Sequence, residues 1–192
     1  MSTQAAPFLT PEQYLEIERA AEFRSEYLGG AMYAMAGSSQ NHAHLVMATS
    51  FLLYGQLRGK ECTAFSTDLR LFVRQHSLIT YPDVFVACPP FQLLDGRKDT
   101  VVDARVIVEV LSPSTRNYDR GEKFLFYRAL PSFREYLLLA QDQIHAEHYV
   151  RQPDNSWLMR EYSAATDVIP LDSIGCSLRL ADVYERVEFE AV

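Results

Sequence analysis

At 192 residues, 48% of them apolar and 22% charged, with 8 Gly and 9 Pro, the chain has the composition of a globular domain able to bury its own core, which excludes the disordered and fibrous classes. Its formal charge of −7 argues against a basic surface that coats nucleic acid by counterion release, so any nucleic-acid contact must be local. The Met1-Ser-Thr-Gln-Ala-Ala-Pro start lacks a signal-peptide pattern, and no run approaches the roughly 18 apolar residues of a membrane span, so a cytoplasmic location is expected.

Thr10-Pro11-Glu12 supplies an N-cap, a proline at the first helical position and an early acid, and Tyr14, Leu15 and Ile17 follow at helical spacing; a helix over 11–22 is predicted. Gly29-Gly30 between two short apolar arms predicts a hairpin over 25–35, with Glu26 on its first strand. The longest helix starts at Ser38 or Ser39, carries Leu45, Val46, Thr49, Leu52, Leu53 and Leu57 as its apolar stripe, and stops at Gly59. Strands are predicted over 62–66, 69–74 and 81–87, with Pro82 opening the third. After a polar connection over 89–100, the run 104–111 is apolar on both faces, as in a central strand. Ser112-Pro113-Ser114 ends that strand, and a helix over 117–130 stops at Pro131. Strands over 135–140, 144–151 and 157–163 form a meander, and the tail packs back through Leu178, Leu180 and a short helix over 181–186. The expected architecture is one mixed α/β (α+β) domain spanning 1–192, a central sheet flanked by helices. Cys62, Cys88 and Cys176 are odd in number, far apart and in apolar contexts, so they are expected to be reduced, small buried residues and not a disulfide framework.

Glu109 interrupts Val-Ile-Val-Glu-Val-Leu, where an ionised carboxylate costs several kcal/mol to desolvate unless a cation or donor meets it. A structural salt bridge is one explanation; metal ligation is the sharper one. Asp83 follows Tyr81-Pro82, and alternation puts Asp83, Phe85 and Ala87 on one strand face. By itself such an Asp is a turn or strand-start cap. Two acids near the ends of adjacent strands, however, can converge on a hard divalent cation such as Mg²⁺ or Mn²⁺. Lys123 lies four residues after Asp119, a spacing that ordinarily means an exposed helical pair of about 0.3–0.5 kcal/mol. The short turn after the Glu109 strand nevertheless folds Lys123 back toward it, where an ammonium suits a phosphate or an attacking water. Arg116, Arg120, Arg128 and Arg134 make this stretch locally basic, with Arg116 and Arg120 the candidates for nucleic-acid contact. His42 and His44 are two apart on a helix and so form no local chelate; His42, near the helix start, is the one placed to meet a phosphate or stay a hydrogen-bonded histidine. Dinucleotide, P-loop, serine-hydrolase and zinc-protease motifs are absent from the sequence.

Tyr-Pro-Asp83, Val-Ile-Val-Glu109-Val-Leu-Ser-Pro-Ser-Thr, Asp119-Arg-Gly-Glu-Lys123 with Tyr127, and Arg-Glu135-Tyr136 resemble, in that order, the Uma-type putative restriction endonuclease family of the PD-(D/E)XK superfamily. Ser-Glu26-Tyr-Leu-Gly-Gly and Asn41-His42 fit the same pattern, so the resemblance covers nearly the whole chain. It implies a restriction-endonuclease-like core and a Mg²⁺- or Mn²⁺-dependent endonuclease acting on nucleic acid, with DNA the expected substrate; a homodimer formed through apolar surfaces is a separate expectation, since paired sites suit double-strand cleavage. Asp83, Glu109 and Lys123 are the implied catalytic set, with Glu26 an additional metal ligand and His42 in a supporting role. The lysine usual two residues after the second acid is Leu111 here; the resemblance implies that Lys123 takes its role. The alternative is a catalytically silent nuclease fold serving as a DNA-binding or protein-interaction module.

Overall fold

The computed structural model describes residues 8–35 and 37–189; the Met1–Pro7 segment read above lies outside them. Thr10 caps α1 (Pro11–Ala20) through a reciprocal pair of hydrogen bonds with Gln13, the arrangement its sequence predicts. The hairpin β1 (Ser25–Leu28) and β2 (Ala31–Ala34) turns on Gly29 and Gly30, both at positive φ, 55° and 98°, which glycine adopts without steric penalty. Ser39 caps α2 (Gln40–Leu57), which buries Leu45, Val46, Thr49, Leu53 and Leu57. Next come β3 (Thr63–Ser66), β4 (Arg70–Val73), β5 (Leu78–Thr80), β6 (Val84–Ala87), β7 (Thr100–Val101) and β8 (Val106–Leu111). A helical stretch follows in three parts: α3 (Arg116–Tyr118), a π-helical turn over Asp119–Lys123, and α4 (Phe124–Tyr127). The chain closes with β9 (Glu135–Ala140), β10 (Ala146–Arg151), β11 (Trp157–Tyr162), β12 (Val168–Leu171), β13 (Cys176–Arg179) and α5 (Leu180–Val183).

Six strands form the main sheet in the order β11-β10-β9-β8-β6-β3. It is mixed: β8 and β9 run parallel, joined by the helical stretch as crossover, while its other pairs are antiparallel. Alternation along β8 divides the core. Val106, Val108 and Val110 pack with Val84, Val86, Leu137 and Leu139 in the cluster that includes α2 and the β12–β13 hairpin. Ile107 and Leu111 join Phe85, Leu138, Tyr127 and Phe133 on the opposite face. Glu109 belongs to that second face. A second sheet, β2-β1-β5-β4-β7, carries Glu26, so the two sheets bring their acids together where the chain passes from β5 to β6.

Three expectations change. The strand predicted over 81–87 is shorter: β6 begins in the main sheet only at Val84, after β5 has ended in the second sheet at Thr80, because Pro82 has no N–H to continue a ladder. Neither β5, β7 nor the β12–β13 hairpin was anticipated. Cys62 and Cys88 form a disulfide, with Cα atoms 4.1 Å apart, contrary to the reduced pair expected. The reason is register: Thr63 pairs with Ala87 across antiparallel β3 and β6, which sets the two cysteines opposite each other at the strand ends. Cys176 is free and buried as expected. Among the described residues no helix is long and apolar enough to cross a membrane.

Candidate active site: an acid–lysine cluster between the sheets

Antiparallel pairing of Val84 with Val108 places Asp83 beside Glu109. The two residues interlock through their backbones: the Asp83 N–H donates to Glu109 Oε2 at 3.3 Å, and the Val110 N–H donates to Asp83 Oδ2 at 2.8 Å. Tyr81 anchors the crossing from below, its hydroxyl donating to Glu18 at 2.9 Å and accepting from Arg70 at 3.0 Å.

The π-turn decides where the lysine goes. By widening one turn of the crossover helix it directs both Asp119 and Lys123 inward, and both are buried; such single π-turns recur at functional sites. The Asp119–Lys123 pair is therefore not the exposed helical pair that its spacing ordinarily means. Lys123 Nζ lies 3.1 Å from Glu109, 3.4 Å from Glu26 and 3.6 Å from Asp119. Glu109 Oε1 also accepts from the Tyr127 hydroxyl at 2.7 Å, while the Thr80 hydroxyl donates to Glu26. On α2, His42 Nε2 stands 3.3 Å from Asp83 Oδ2, one turn inside the capped helix start. The structure thus brings together Asp83, Glu109, Lys123, Glu26 and His42. Asp119, Tyr127 and Thr80 complete the cluster. The i, i+4 spacing signalled Asp119 and the resemblance included Tyr127; no sequence signal marked Thr80.

Electrostatics follow from this crowding. Burial pushes Glu109 up, to about 8, against the pull of the Lys123 ammonium, with the negative charges of Asp83 and Asp119 adding to the rise. Asp119 is raised by the same burial. For Lys123 burial opposes the charge, but Glu109, Glu26 and Asp119 outweigh it and raise the ammonium well above its ordinary value. Three acids thus surround one firmly held cation, and Asp83 adds a fourth carboxylate beside Glu109. Such a deficit of positive charge, presented by hard carboxylate oxygens, fits a divalent ion such as Mg²⁺ or Mn²⁺ in donor type and in charge. Among the described residues no three Asp, Glu, His or Cys groups are placed to hold a metal ion; Glu26, Glu109 and Asp119 lie around Lys123.

The cluster forms part of the lining of a cleft of about 1180 Å³, whose rim includes Tyr33, Met35, Met47 and Tyr118. Neither Arg116 nor Arg120 is among its lining residues. Arg120 pairs with Glu147 at 2.7 Å, and Arg116 is exposed on α3.

The chain matches the Uma2 family model, described as "Putative restriction endonuclease", over residues 11–181. It is 36% identical over 189 residues to uncharacterized protein slr1290 of Synechocystis sp., covering 96% of this chain and 97% of that one. A second Synechocystis protein, uncharacterized protein sll1609, is 34% identical over 161 residues, 84% of this chain and 91% of the relative. In fold the chain is similar to the crystal structure of a putative nuclease belonging to DUF820 from Anabaena variabilis, with a TM-score of 0.77 and 15% identity over 94% of this chain and 99% of that one. The acids and lysine derived above stand within the matched span, and the chain belongs to the Uma2 putative restriction endonuclease family.

Proposed function

We propose that the chain is a divalent-metal-dependent nuclease that hydrolyses phosphodiester bonds, with DNA as substrate. The observation that carries this reading is the buried meeting of Asp83 and Glu109 on paired strands with Lys123 3.1 Å from Glu109. Family membership supports it. Asp83 and Glu109 are the residues that would hold the ion, with Glu26 as a further ligand; once bound, the ion supplies Lewis-acid polarisation of a phosphodiester and a nucleophile near neutral pH.

The chain's own groups do the rest. The backbone N–H groups of Asp83 and Val110 fix one oxygen of each carboxylate, so the pair is held before substrate arrives. Tyr127 donates to Glu109 Oε1 and orients that carboxylate toward the cleft's floor. Lys123, charged at neutral pH, offers its ammonium to the negative charge that grows on a phosphate oxygen, a preorganised electrostatic role worth about 10²–10³ in rate in comparable sites. His42 steadies Asp83 from the α2 side.

Cleavage of single-stranded and plasmid DNA in Mg²⁺ or Mn²⁺ tests this. Asp83→Ala, Glu109→Ala and Lys123→Ala are each expected to lose at least about 100-fold in rate while keeping the native circular dichroism spectrum. Full activity in Glu109→Ala would reject the assignment.

A further inference from the structure

The cleft joins an acidic floor to an aromatic and thioether rim, and the rim is positioned by the same register that places the acids. Tyr33 on β2 pairs directly with Glu26 on β1; cross-strand partners hold their Cβ atoms about 4.5–5.5 Å apart on one face of a sheet. The ring of Tyr33 therefore stands next to the carboxylate that contacts Lys123, yet it is 55% exposed. On the α2 side of the cleft, Met47 and Phe51 lie one turn apart at 72% and 75% exposure, and both line it. Folding leaves this apolar surface open beside a site whose substrate is a polyanion.

The charges say which polyanion. Among the described residues the arginine and lysine lining the cleft are Arg24 and Lys123. Lys123 is engaged by three acids, and Arg24 by Asp68 and the Thr67 carbonyl, with its guanidinium over Tyr81. Gripping duplex DNA by its backbone requires several free Lys and Arg side chains on phosphates, and this cleft offers acids instead. An exposed ring asks for no such surplus of positive charge, since any base presents a face for stacking. A duplex hides those faces; an unpaired strand exposes them. At about 1180 Å³ the cleft also exceeds the roughly 300–1,000 Å³ of a small-ligand pocket, leaving space for more than one nucleotide.

We propose that the cleft takes nucleic acid with unpaired bases, one base stacking on Tyr33 so that the adjoining phosphodiester reaches the Asp83–Glu109–Lys123 cluster. The inference rests on the nuclease reading for what happens to that phosphate, but not for the preference itself.

Fluorescence anisotropy with a labelled phosphorothioate single strand and the duplex of the same sequence, each titrated with the full chain, tests the preference. The single strand is expected to bind more tightly. Tyr33→Ala weakens that binding by about 5- to 100-fold, as loss of one base–aromatic stack does, and Tyr33→Phe restores it. Isothermal titration with Mn²⁺ on the same Tyr33→Ala protein is expected to match the parent. Equal or tighter duplex binding, or an unchanged single-strand affinity in Tyr33→Ala, overturns the proposal. So does a dimer in sedimentation that Phe51→Ala dissociates, because the rim would then be covered by a second copy. Loss of Mn²⁺ binding with the strand preference intact would instead remove the nuclease reading and leave this one standing.

Discussion

Lys123 and Glu109 touch, but they do not contribute equally. Lys123 is the cation shared by Glu26, Glu109 and Asp119, so removing it leaves buried acids uncompensated, a change that costs about 3–5 kcal/mol. Glu109 is one acid of several, and burial already favours its protonated form, which Gln imitates while still accepting from Tyr127. Urea denaturation without added metal is therefore expected to show Lys123→Met destabilised by about 3–5 kcal/mol and Glu109→Gln by less than about 1 kcal/mol. Equal losses in the two variants would mean that the cluster is a simple ion pair. A residue retained at little gain in stability is one held for chemistry, and that asymmetry separates a functional cluster from a structural bridge.

Among the elements, the crossover helix and the second sheet do most to build the site. The sequence spacing of Asp119 and Lys123 predicts a helix; the π-turn that buries both leaves no signature in composition because it depends on what lies opposite. The alternation of Asp83, Phe85 and Ala87, and the intrusion of Glu109 into an apolar run, were legible because strand periodicity is local. The late start of β6 after Pro82 and the strands β5 and β7 were not, since three-residue and two-residue strands carry too few positions to show a period. The Cys62–Cys88 pairing escaped for a related reason: it follows from the β3–β6 register, a long-range property. The second sheet is tied to α1 by Arg19 and Arg70 converging on Asp99. Hydrogen bonding from Arg19, then the charge of Arg70 and the Thr100 hydroxyl, holds Asp99 at about 2, down from 3.8. A depressed carboxylate contributes stability that is present above the unfolded value and is lost as pH falls through the folded one. Stability should thus drop between about pH 4 and pH 2 by at most about 2 kcal/mol from this group, less for its partial exposure. Asp99→Asn is expected to flatten that part of the acid limb in pH-dependent denaturation; an unchanged limb would show that Asp99 is not coupled to folding.

For the molecule as a whole, a net charge of −7 and a role on nucleic acid conflict only if binding relies on the general surface. The structure concentrates acids, lysine and exposed rings in one cleft between two sheets, so the proposed recognition is local to that cleft. Of the arginines in the basic stretch, Arg120 pairs with Glu147 and Arg134 donates to the Pro131 and Phe133 carbonyls, while Arg116 is exposed. The whole account therefore turns on whether the acids of β6 and β8 take up a divalent ion. Isothermal titration of the intact chain with Mn²⁺ measures this directly. One saturable site, abolished by Asp83→Ala and by Glu109→Ala alike, is the predicted result; absence of saturable binding, or binding that survives both substitutions, would contradict it.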